Sequence, residues 1–377
     1  MAARLERLDE IKRNKGIDAF LFTSSTTLKH LSGFFYNFEI GPSPFHLIPA
    51  ALFVEHSQNS CIIIADSENT SNINQRIPVK QYSSYVYEKP LEPSKSFLAR
   101  LHEVFNENKV GNARIGIESG SLPWAISQFL LSHYPGIQFI DVSSDMLLLR
   151  MVKDSDEIAC IREATRLCDV GQAAAMKYAK PGITELEFFT LIRGEMDLVA
   201  GQRISMMADL VSGDRTYSAG GSPSKKLIQS GDLILSDLTP CLNGYWGDTC
   251  STFVVGKAGS DERRDDFQLI KEALDIGITA IRPGVRANEV DRLMREHIAK
   301  AGWFSHHGGH GVGVAYHEEP RITPYNTIEL SPGMVIALEP GVYRNGYGVR
   351  LEHVVVVTET GCEIVSKFDH CFDQHSE

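Results

Sequence analysis

Two apolar stretches of the chain share one plan, in which a run ends in a carboxylate, turns, and returns with a second carboxylate. The first stretch spans Gly231–Phe253 and the second, 102 residues further on, spans Gly333–Val355. Each contains an Asn-Gly-Tyr tripeptide at the same place, so we interpret the stretches as two copies of one hairpin. The acids are Asp237 and Asp248 in the first copy and Glu339 and Glu352 in the second.

Strand geometry predicts where these acids point. Each Asn-Gly pair favours a two-residue hairpin turn. Such a turn puts Glu339 directly opposite Glu352, with their Cβ atoms roughly 5 Å apart on one face. In the first hairpin it puts Asp248 opposite Thr239, with Asp237 two residues along on the same face. Carboxylates this close repel, and a divalent cation would relieve the repulsion. The pattern therefore predicts a metal site. The alternative, two acidic hairpins facing solvent, is disfavoured because the carboxylate strands are apolar.

A histidine-rich segment at 304–320 offers the imidazole that such a site needs. His310 stands between two glycines, where another backbone can approach closely, and we assign it as a ligand. His317 is interpreted as a group that contacts substrate and stabilises developing charge. A purely structural role is the alternative for either histidine. One imidazole and four carboxylates suit manganese, cobalt, iron or zinc. This much charge favours two ions, which can share a hydroxide nucleophile and polarise a carbonyl.

The elements before residue 150 predict a small α/β domain. A helix over residues 4–15 has an apolar face and can end at Gly16. We expect a boundary between residues 147 and 152, which gives domains of 1–150 and 151–377. A further helix is expected from about residue 123, and the expected strands are 17–24, 50–55, 61–66, 114–119 and 138–143.

The remaining residues predict a duplicated α+β unit with helices outside and the two carboxylate hairpins inside. Apolar spacing indicates a long helix that passes through Ile158 and Cys168 and ends near residue 180. Thr184 and Glu187 form the signature of a capping box for the next helix. The second half repeats this plan, with helices expected over 265–281 and through Val290 to Ile298.

Composition excludes several classes of protein. The net charge is −11 without a basic cluster, which argues against a nucleic-acid partner. No apolar run approaches the roughly 18 residues of a membrane span. The seven cysteines are odd in number and form no CxxC pair, which favours reduced thiols over disulfides or a zinc ribbon. With no apolar signal segment at the N-terminus, we expect a cytoplasmic protein.

The five candidate ligands and their contexts, GHGVG…HEEP and ALEPGVY, resemble the ligand set of the pita-bread metallopeptidases. That family holds methionine aminopeptidase, aminopeptidase P and prolidase, with creatinase as a relative. The segment RLERLDEIKRNKGIDAFLF resembles the creatinase/prolidase-type N-terminal domain. The resemblance implies an α+β pita-bread domain with an internal pseudo-twofold duplication, preceded by a smaller α/β domain. The metal ligands it implies are Asp237, Asp248, His310, Glu339 and Glu352.

The resemblance also implies roles and partners. Two divalent ions, manganese first with cobalt, zinc or iron as alternatives, would serve attack on an amide carbonyl. Glu339 would be both a ligand and a proton shuttle. His317 and His306 would act on the substrate as catalytic and binding residues, and Arg350 would help to bind it. A homodimer is implied, in which the aromatic segment 34–46 reaches toward the neighbour's site.

Three positions depart from the peptidase pattern. The histidine that helps to hold the scissile amide is Gly220, the arginine of DxTRT is Ser251, and the usual Glu-Asp is Glu352-His353. Cys250 could touch the site or simply pack. The sequence therefore keeps three functions open. The first is an Xaa-Pro dipeptidase or aminopeptidase acting on short peptides. The second is a non-peptide C–N hydrolase or lyase acting on a small metabolite, similar to creatinase or ectoine hydrolase. The third is a non-catalytic binding protein.

Overall fold

The computed structural model describes residues 2–46, 48, 50–256, 260–299, 302 and 304–374. The chain forms two compact units, Met1–Arg150 and Met151–Glu377. Within the described residues, no helix has both the length and the apolar character that crossing a bilayer requires.

The first unit is an α/β unit, as predicted. Its elements in chain order are α1 (Ala2–Lys15), β1 (Ala19–Phe22), α2 (Ser25–Ser32), β2 (Ala50–His56), β3 (Asn59–Ala65), β4 (Val79–Tyr82), α3 (Pro93–Glu107), β5 (Arg114–Ile117), α4 (Trp124–His133), β6 (Gln138–Asp141) and α5 (Ser143–Met151), whose last residue opens the second unit.

The six strands form one mixed sheet in the order β4-β3-β2-β1-β5-β6. Strands β1, β2 and β3 are apolar at successive positions because both faces of the sheet are covered there. Phe20 and Phe22 of β1 pack on one face with Leu8 of α1, whereas Leu21 packs on the other face with Phe97 of α3. The expected strands are confirmed in place, although β1, β5 and β6 are shorter than the segments that predict them.

The segment 34–46 is irregular in structure, and its aromatic residues are of two kinds. Phe34 is buried and Tyr36 packs against the same core cluster. Phe38 and Phe45 are exposed. The segment is therefore a surface loop anchored at its N-terminal end.

The second unit contains the carboxylate hairpins. Its elements are α6 (Ser155–Tyr178), α7 (Glu185–Ala200), β7 (Ser205–Ser212), a 3₁₀ helix (Gly213–Ser218), β8 (Leu233–Leu242), β9 (Tyr245–Trp246), β10 (Thr249–Val254), α8 (Asp261–Ala280), α9 (Ala287–Ile298), β11 (Gly309–Gly311), β12 (Glu318–Ile322), β13 (Val335–Leu338), β14 (Gly341–Arg344), β15 (Tyr347–Arg350), β16 (His353–Val357) and β17 (Cys362–Ile364).

The predicted duplication is confirmed, because a shift of 102 residues carries the helices and hairpins of one half onto those of the other. It carries α7 onto α9 and β8 onto β13 and β14. Buried positions coincide as well, since Phe188 and Ile192 of α7 correspond to Val290 and Met294 of α9. The helix pairs pack on sheets ordered β10-β8-β7, with β9 beside β8, and β12-β11-β13-β16-β17, and β14 pairs with β15.

The predicted capping box begins α7. The Thr184 hydroxyl accepts a hydrogen bond from the Glu187 amide at 3.1 Å, and the Glu187 carboxylate accepts one from the Thr184 amide at 2.8 Å. Both bonds satisfy amides that the first turn of a helix leaves without partners.

Thr184→Ala should lower the free energy of unfolding by about 1 kcal/mol, because the Glu187 amide loses its acceptor. Urea denaturation of the two proteins measures the difference. Thr190→Ala is the matched control. Thr190 is exposed inside α7 and bonds to the Leu186 carbonyl, so alanine there should be neutral or stabilising. Equal losses for the two variants would contradict the capping role.

Candidate metal centre

The first hairpin has the predicted turn and register. Asn243 and Gly244 both have positive φ, 51° and 79°, as a type I′ turn requires. Leu238 pairs with Thr249 and Leu242 with Tyr245, which fixes Asp248 opposite Thr239. The Thr239 hydroxyl donates to the Asp248 carboxylate at 2.9 Å, so this register also orients the acid.

The second hairpin keeps a single register on both sides of its two acids. Leu338 pairs with His353 before them and Gly341 pairs with Arg350 after them. Glu339 and Glu352 therefore face each other where the β13–β16 ladder gives way to the β14–β15 ladder. The pairing predicted from the Asn-Gly turn is confirmed.

His310 lies on β11, between β12 and β13. A Cβ on Gly309 would lie 2.4 Å from the Ala337 carbonyl oxygen, and one on Gly311 would lie 2.3 Å from that of Glu319. Only glycines on both sides of the histidine permit this approach of the strands. The Nδ1 atom of His310 lies 3.0 Å from the Gly311 carbonyl oxygen, which can only accept, so Nδ1 carries the proton and Nε2 keeps a free lone pair.

The Nε2 atom of His310 faces acids from both hairpins. It lies 3.6 Å from Asp248 Oδ2 and 3.5 Å from Glu339 Oε1. Asp248, His310 and Glu352 each offer a ligand atom within 4.8 Å of the others. The Oε2 atom of Glu352 is buried and has no hydrogen-bond partner among the described residues. A cation would satisfy this oxygen, and the oxygen-rich donor set with one imidazole fits a divalent ion of the manganese-to-zinc series.

Burial shifts the pKa values of the group in opposite directions. It raises the pKa of Asp248 and of Glu352 well above the usual range, and the neighbouring carboxylates add to this effect. Burial lowers the pKa of His310 to about 4, so its imidazole is neutral at pH 7 and able to ligate. Burial alone would raise the pKa of Glu339, but a hydrogen bond from His307 and the nearby positive groups hold it below the usual range.

Asp237 is held differently from the other acids. The guanidinium of Arg350 forms an ion pair with its Oδ2 atom, and Arg350 also lies 3.8 Å from Glu339. Burial nevertheless raises the pKa of Asp237 to about 6 against the influence of Arg350. The structure thus groups Asp248, His310 and Glu352, sets Glu339 next to His310, and pairs Asp237 with Arg350 beside them.

Three further histidines of the segment 304–320 line the same cavity, and one of them, His307, was not predicted as a site residue. His306 bonds through Nε2 to the Tyr343 hydroxyl at 2.9 Å, and its Nδ1 lies 4.0 Å from Glu339. His307 reaches Glu339 Oε1 directly at 2.8 Å. His317 is more exposed, and its ring lies 4.2 Å from that of His310. Two adjacent histidines in FSHHGGH were the available signal, but the sequence does not show which ring turns toward Glu339.

Two of the departures from the peptidase pattern meet at one buried histidine. The Ser251 hydroxyl lies 3.2 Å from Nδ1 of His370, and the His353 ring packs on the His370 ring at 4.4 Å. The third departure, Gly220, lies beside Asp209: a Cβ on Gly220 would stand 2.2 Å from the Asp209 Oδ2 atom. Cys250 is fully buried opposite Asp237 in the β8–β10 ladder, which agrees with a packing role.

The five acids and four histidines described above lie on the wall of an open cavity of about 600 Å³. Its wall includes residues from β7, the segment after the 3₁₀ helix, and both hairpins. The members discussed above are Asp209, Asp237, Thr239, Asp248, His306, His307, His310, His317, Glu339, Arg350 and Glu352. Carboxylates, a neutral imidazole and mobile protons on histidines are the groups that metal-assisted hydrolysis uses.

Comparison with known proteins agrees with this chemistry. Residues 4–152 match the creatinase/prolidase N-terminal domain, and residues 159–359 match metallopeptidase family M24. The Xaa-Pro dipeptidase of Pyrococcus furiosus is 32% identical over 67% of this chain and 73% of its own length. YqhT, an uncharacterized peptidase of Bacillus subtilis, is 29% identical over 95% of this chain and 96% of its own length.

Solved structures extend the similarity to almost the whole chain. The prolidase from Pyrococcus horikoshii OT3 superposes with a TM-score of 0.81 at 26% identity, covering 98% of this chain and 99% of that one. A Xaa-Pro dipeptidase from Bacillus anthracis has a TM-score of 0.84 over 98% of this chain and 99% of its own, and its 24% identity supports the fold alone. In this chain a creatinase-type N-terminal domain precedes the pita-bread domain. Since the family match extends over more than half of the residues, the chain belongs to metallopeptidase family M24, a family of metal-dependent peptidases.

Proposed function

We propose that this M24 peptidase cleaves the bond before proline in Xaa-Pro dipeptides and short Xaa-Pro peptides. The observation that carries the proposal is the grouping of Asp248, His310 and Glu352 ligand atoms within 4.8 Å at the wall of a cavity of about 600 Å³. A cavity of this size suits a small substrate. The Xaa-Pro dipeptidase named among the relatives supports proline as the second residue.

We infer that two divalent ions, manganese in the first place, are held by five residues. Bound ions would supply a water of lowered pKa as nucleophile and would polarise the scissile carbonyl. The proposed ligands are Asp237, Asp248, His310, Glu339 and Glu352.

The chain's own groups prepare this site in three ways. The Thr239 hydroxyl and the Gly311 carbonyl fix the orientation of Asp248 and of the His310 ring. Glu339, which accepts a hydrogen bond from His307, would receive a proton and pass it to the leaving nitrogen. His307 would thus serve as a positioning residue for that shuttle.

The substrate contacts are proposed for three groups on the cavity wall. His317 would donate a hydrogen bond to a carbonyl or carboxylate oxygen of the substrate, and His306 would contact the substrate from the same wall. Arg350 would bind the substrate carboxylate, and in the structure it also neutralises part of the charge on Asp237. Burial lowers the pKa of His306 to about 4, which keeps that ring neutral at pH 7. Its Nδ1 lies 2.7 Å from the His307 carbonyl oxygen and therefore carries the proton, so its Nε2 accepts the hydrogen bond from the Tyr343 hydroxyl.

The other two functions are less well supported. The relatives are named as peptidases, which favours a peptide over a creatine-like metabolite. The positions of all five proposed ligands carry residues able to bind metal, which favours an enzyme over a non-catalytic binding protein.

The assembly and location are also proposals. We propose a homodimer in which the exposed side chains Phe38 and Phe45 of segment 34–46 approach the neighbouring subunit's site. We place the protein in the cytoplasm, because its seven cysteines are odd in number and form no CxxC pair, which is typical of reduced thiols. The two domains are proposed to be 1–150 and 151–377, in agreement with the two compact units.

A substrate panel tests the proposed reaction. The manganese-loaded protein should release proline from Ala-Pro and Leu-Pro with a kcat/KM at least about tenfold above that for Ala-Ala. Removal of the metal with EDTA should abolish this activity, and added Mn²⁺ should restore it. A metal-loaded preparation that leaves every Xaa-Pro peptide intact but cleaves creatine or another small C–N compound would replace this proposal with the non-peptide alternative.

A further inference from the structure

Asp209 is a carboxylate on the cavity wall to which the proposed mechanism gives no task. Among the described residues that line the cavity, it is the one acid outside the five proposed ligands. Its side chain is 46% exposed, far more than those of Asp248 or Glu339. A charged group that faces a substrate cavity in this way is available to a ligand.

The backbone places Asp209 close to the reacting centre. It lies on β7 directly opposite Asp237 on β8, so both side chains project from the same face of the sheet. Its Oδ1 atom accepts a hydrogen bond from the Gly221 amide at 2.9 Å. This bond fixes one oxygen of the carboxylate, while Oδ2 lies beside Gly220 and 3.9 Å from the Arg350 guanidinium.

The charge on Asp209 is only partly balanced by the protein. The nearest guanidinium nitrogen of Arg350 lies 3.9 Å from Oδ2 of Asp209, while the same nitrogen is in hydrogen-bond contact with Asp237. Arg350 is therefore committed first to Asp237. A second cation could approach Asp209 from the cavity and form a charge-assisted hydrogen bond.

Gly220 and Asp209 are matched to each other. A Cβ at position 220 would lie 2.2 Å from Oδ2 and 2.6 Å from Cγ of Asp209, so a side chain there is incompatible with the observed carboxylate position. The position where the peptidase pattern expects a histidine therefore leaves room for an anion instead. With glycine in place of histidine and Asp209 beside it, this part of the cavity wall carries a negative charge instead of an imidazole.

We propose that Asp209 is a specificity-determining residue that binds a cationic nitrogen of the substrate. The proposal rests on the peptidase function proposed above and names a feature of its substrate. The cation is either the α-ammonium group or a basic side chain of the residue before proline, since both present a charged N–H donor to a carboxylate. Two observations carry the assignment: the Asp209 carboxylate occupies the space that a side chain at position 220 would need, and the Asp209 side chain is 46% exposed at the cavity.

The test compares wild type with Asp209→Asn on four compounds of matched shape. Arg-Pro and citrulline-Pro differ in side-chain charge, and Ala-Pro and propionyl-Pro differ in the α-ammonium group. The measurement is kcat/KM, or the inhibition constant against Ala-Pro for a compound that is not cleaved. Asparagine keeps the shape and the acceptor for the Gly221 amide. Asp214→Asn, which removes an exposed acid from the nearby 3₁₀ helix, is the control and should leave all ratios unchanged.

Two outcomes support the proposal and identify the cation. A loss of about 10- to 100-fold confined to Arg-Pro assigns the side chain. A loss of that size on every compound except propionyl-Pro assigns the α-ammonium group. Equal changes on all four compounds, or changes below about twofold, overturn it, because a structural role would not distinguish charge. If wild type cleaves none of them, the peptidase proposal fails. Calorimetric titration of manganese-loaded wild type and Asp209→Asn with the same four compounds then still decides the role of Asp209. If the wild type binds the charged and the uncharged member of each pair equally, or if Asp209→Asn changes neither difference, the proposal is rejected.

Discussion

Replacing Asp248 by alanine should remove bound metal and lower kcat/KM for Ala-Pro by about 10³-fold or more, since a lost ligand forfeits several kcal/mol of transition-state stabilisation. Asp248 lies 3.6 Å from His310 Nε2 and shares a ligand cluster with Glu352. Its removal leaves that cluster with His310 and Glu352 alone, too few groups to hold an ion tightly. Metal content after gel filtration, measured by plasma mass spectrometry, and hydrolysis of Ala-Pro together check the expectation.

The same variant should not unfold the metal-free protein. Burial raises the pKa of Asp248 well above its usual range, which means that the folded metal-free protein holds this carboxylate at a cost. The melting temperature without metal should therefore stay the same or rise. Asp265→Ala, an exposed acid of α8, is the matched control and should keep both metal and activity. Wild-type metal stoichiometry in Asp248→Ala would remove it from the proposed ligand set.

The hairpins were predictable because their information is local. An Asn-Gly pair fixes a two-residue turn, and the strand period of two then assigns every cross-strand partner, as Leu242 with Tyr245 and Arg344 with Tyr347 demonstrate. The second copy of the hairpin, 102 residues further on, shows the same pattern and so supports the same strand pairing. The pattern that would predict helix α3 is also local, because Phe97, Leu101 and Val104 have helical spacing and lie on its buried face. This helix was nevertheless not predicted, since its segment has no second copy in the chain.

The environment of Asp237 was not predictable from local pattern. Its partner Arg350 lies more than 100 residues away, and their contact depends on how the two hairpins pack. Asp209 lies in MMADLVS, where no repeat or motif marks it, and only the pairing of β7 with β8 brings it opposite Asp237. The orientation of His307 toward Glu339 is likewise a result of tertiary packing. The residue types of the proposed ligands could thus be predicted from the sequence. The contacts that orient these ligands and shift their pKa values could not.

Lys153→Met should destabilise the second unit by about 3–5 kcal/mol, because it leaves a buried carboxylate without its cation. The Lys153 ammonium lies 2.9 Å from Glu318 Oε2, and the two side chains are 1% and 2% exposed. The other oxygen of Glu318 accepts a hydrogen bond from the Ala315 amide, so the pair anchors the backbone that leads into His317. Loss of the pair should therefore also raise KM for Ala-Pro, through a displaced His317.

Denaturant unfolding of three variants separates the pair's two contributions. Lys153→Met combined with Glu318→Gln removes the isolated charge, so it should recover a large part of the lost free energy of unfolding. Arg292→Met breaks an exposed ion pair with Glu296 and should cost less than about 1 kcal/mol. If Lys153→Met and Arg292→Met lower the free energy of unfolding equally, burial does not determine how much the Lys153–Glu318 pair stabilises the protein. If the double variant is no more stable than Lys153→Met, the lost free energy of unfolding comes from the packing of the lysine side chain and not from the unpaired Glu318 carboxylate.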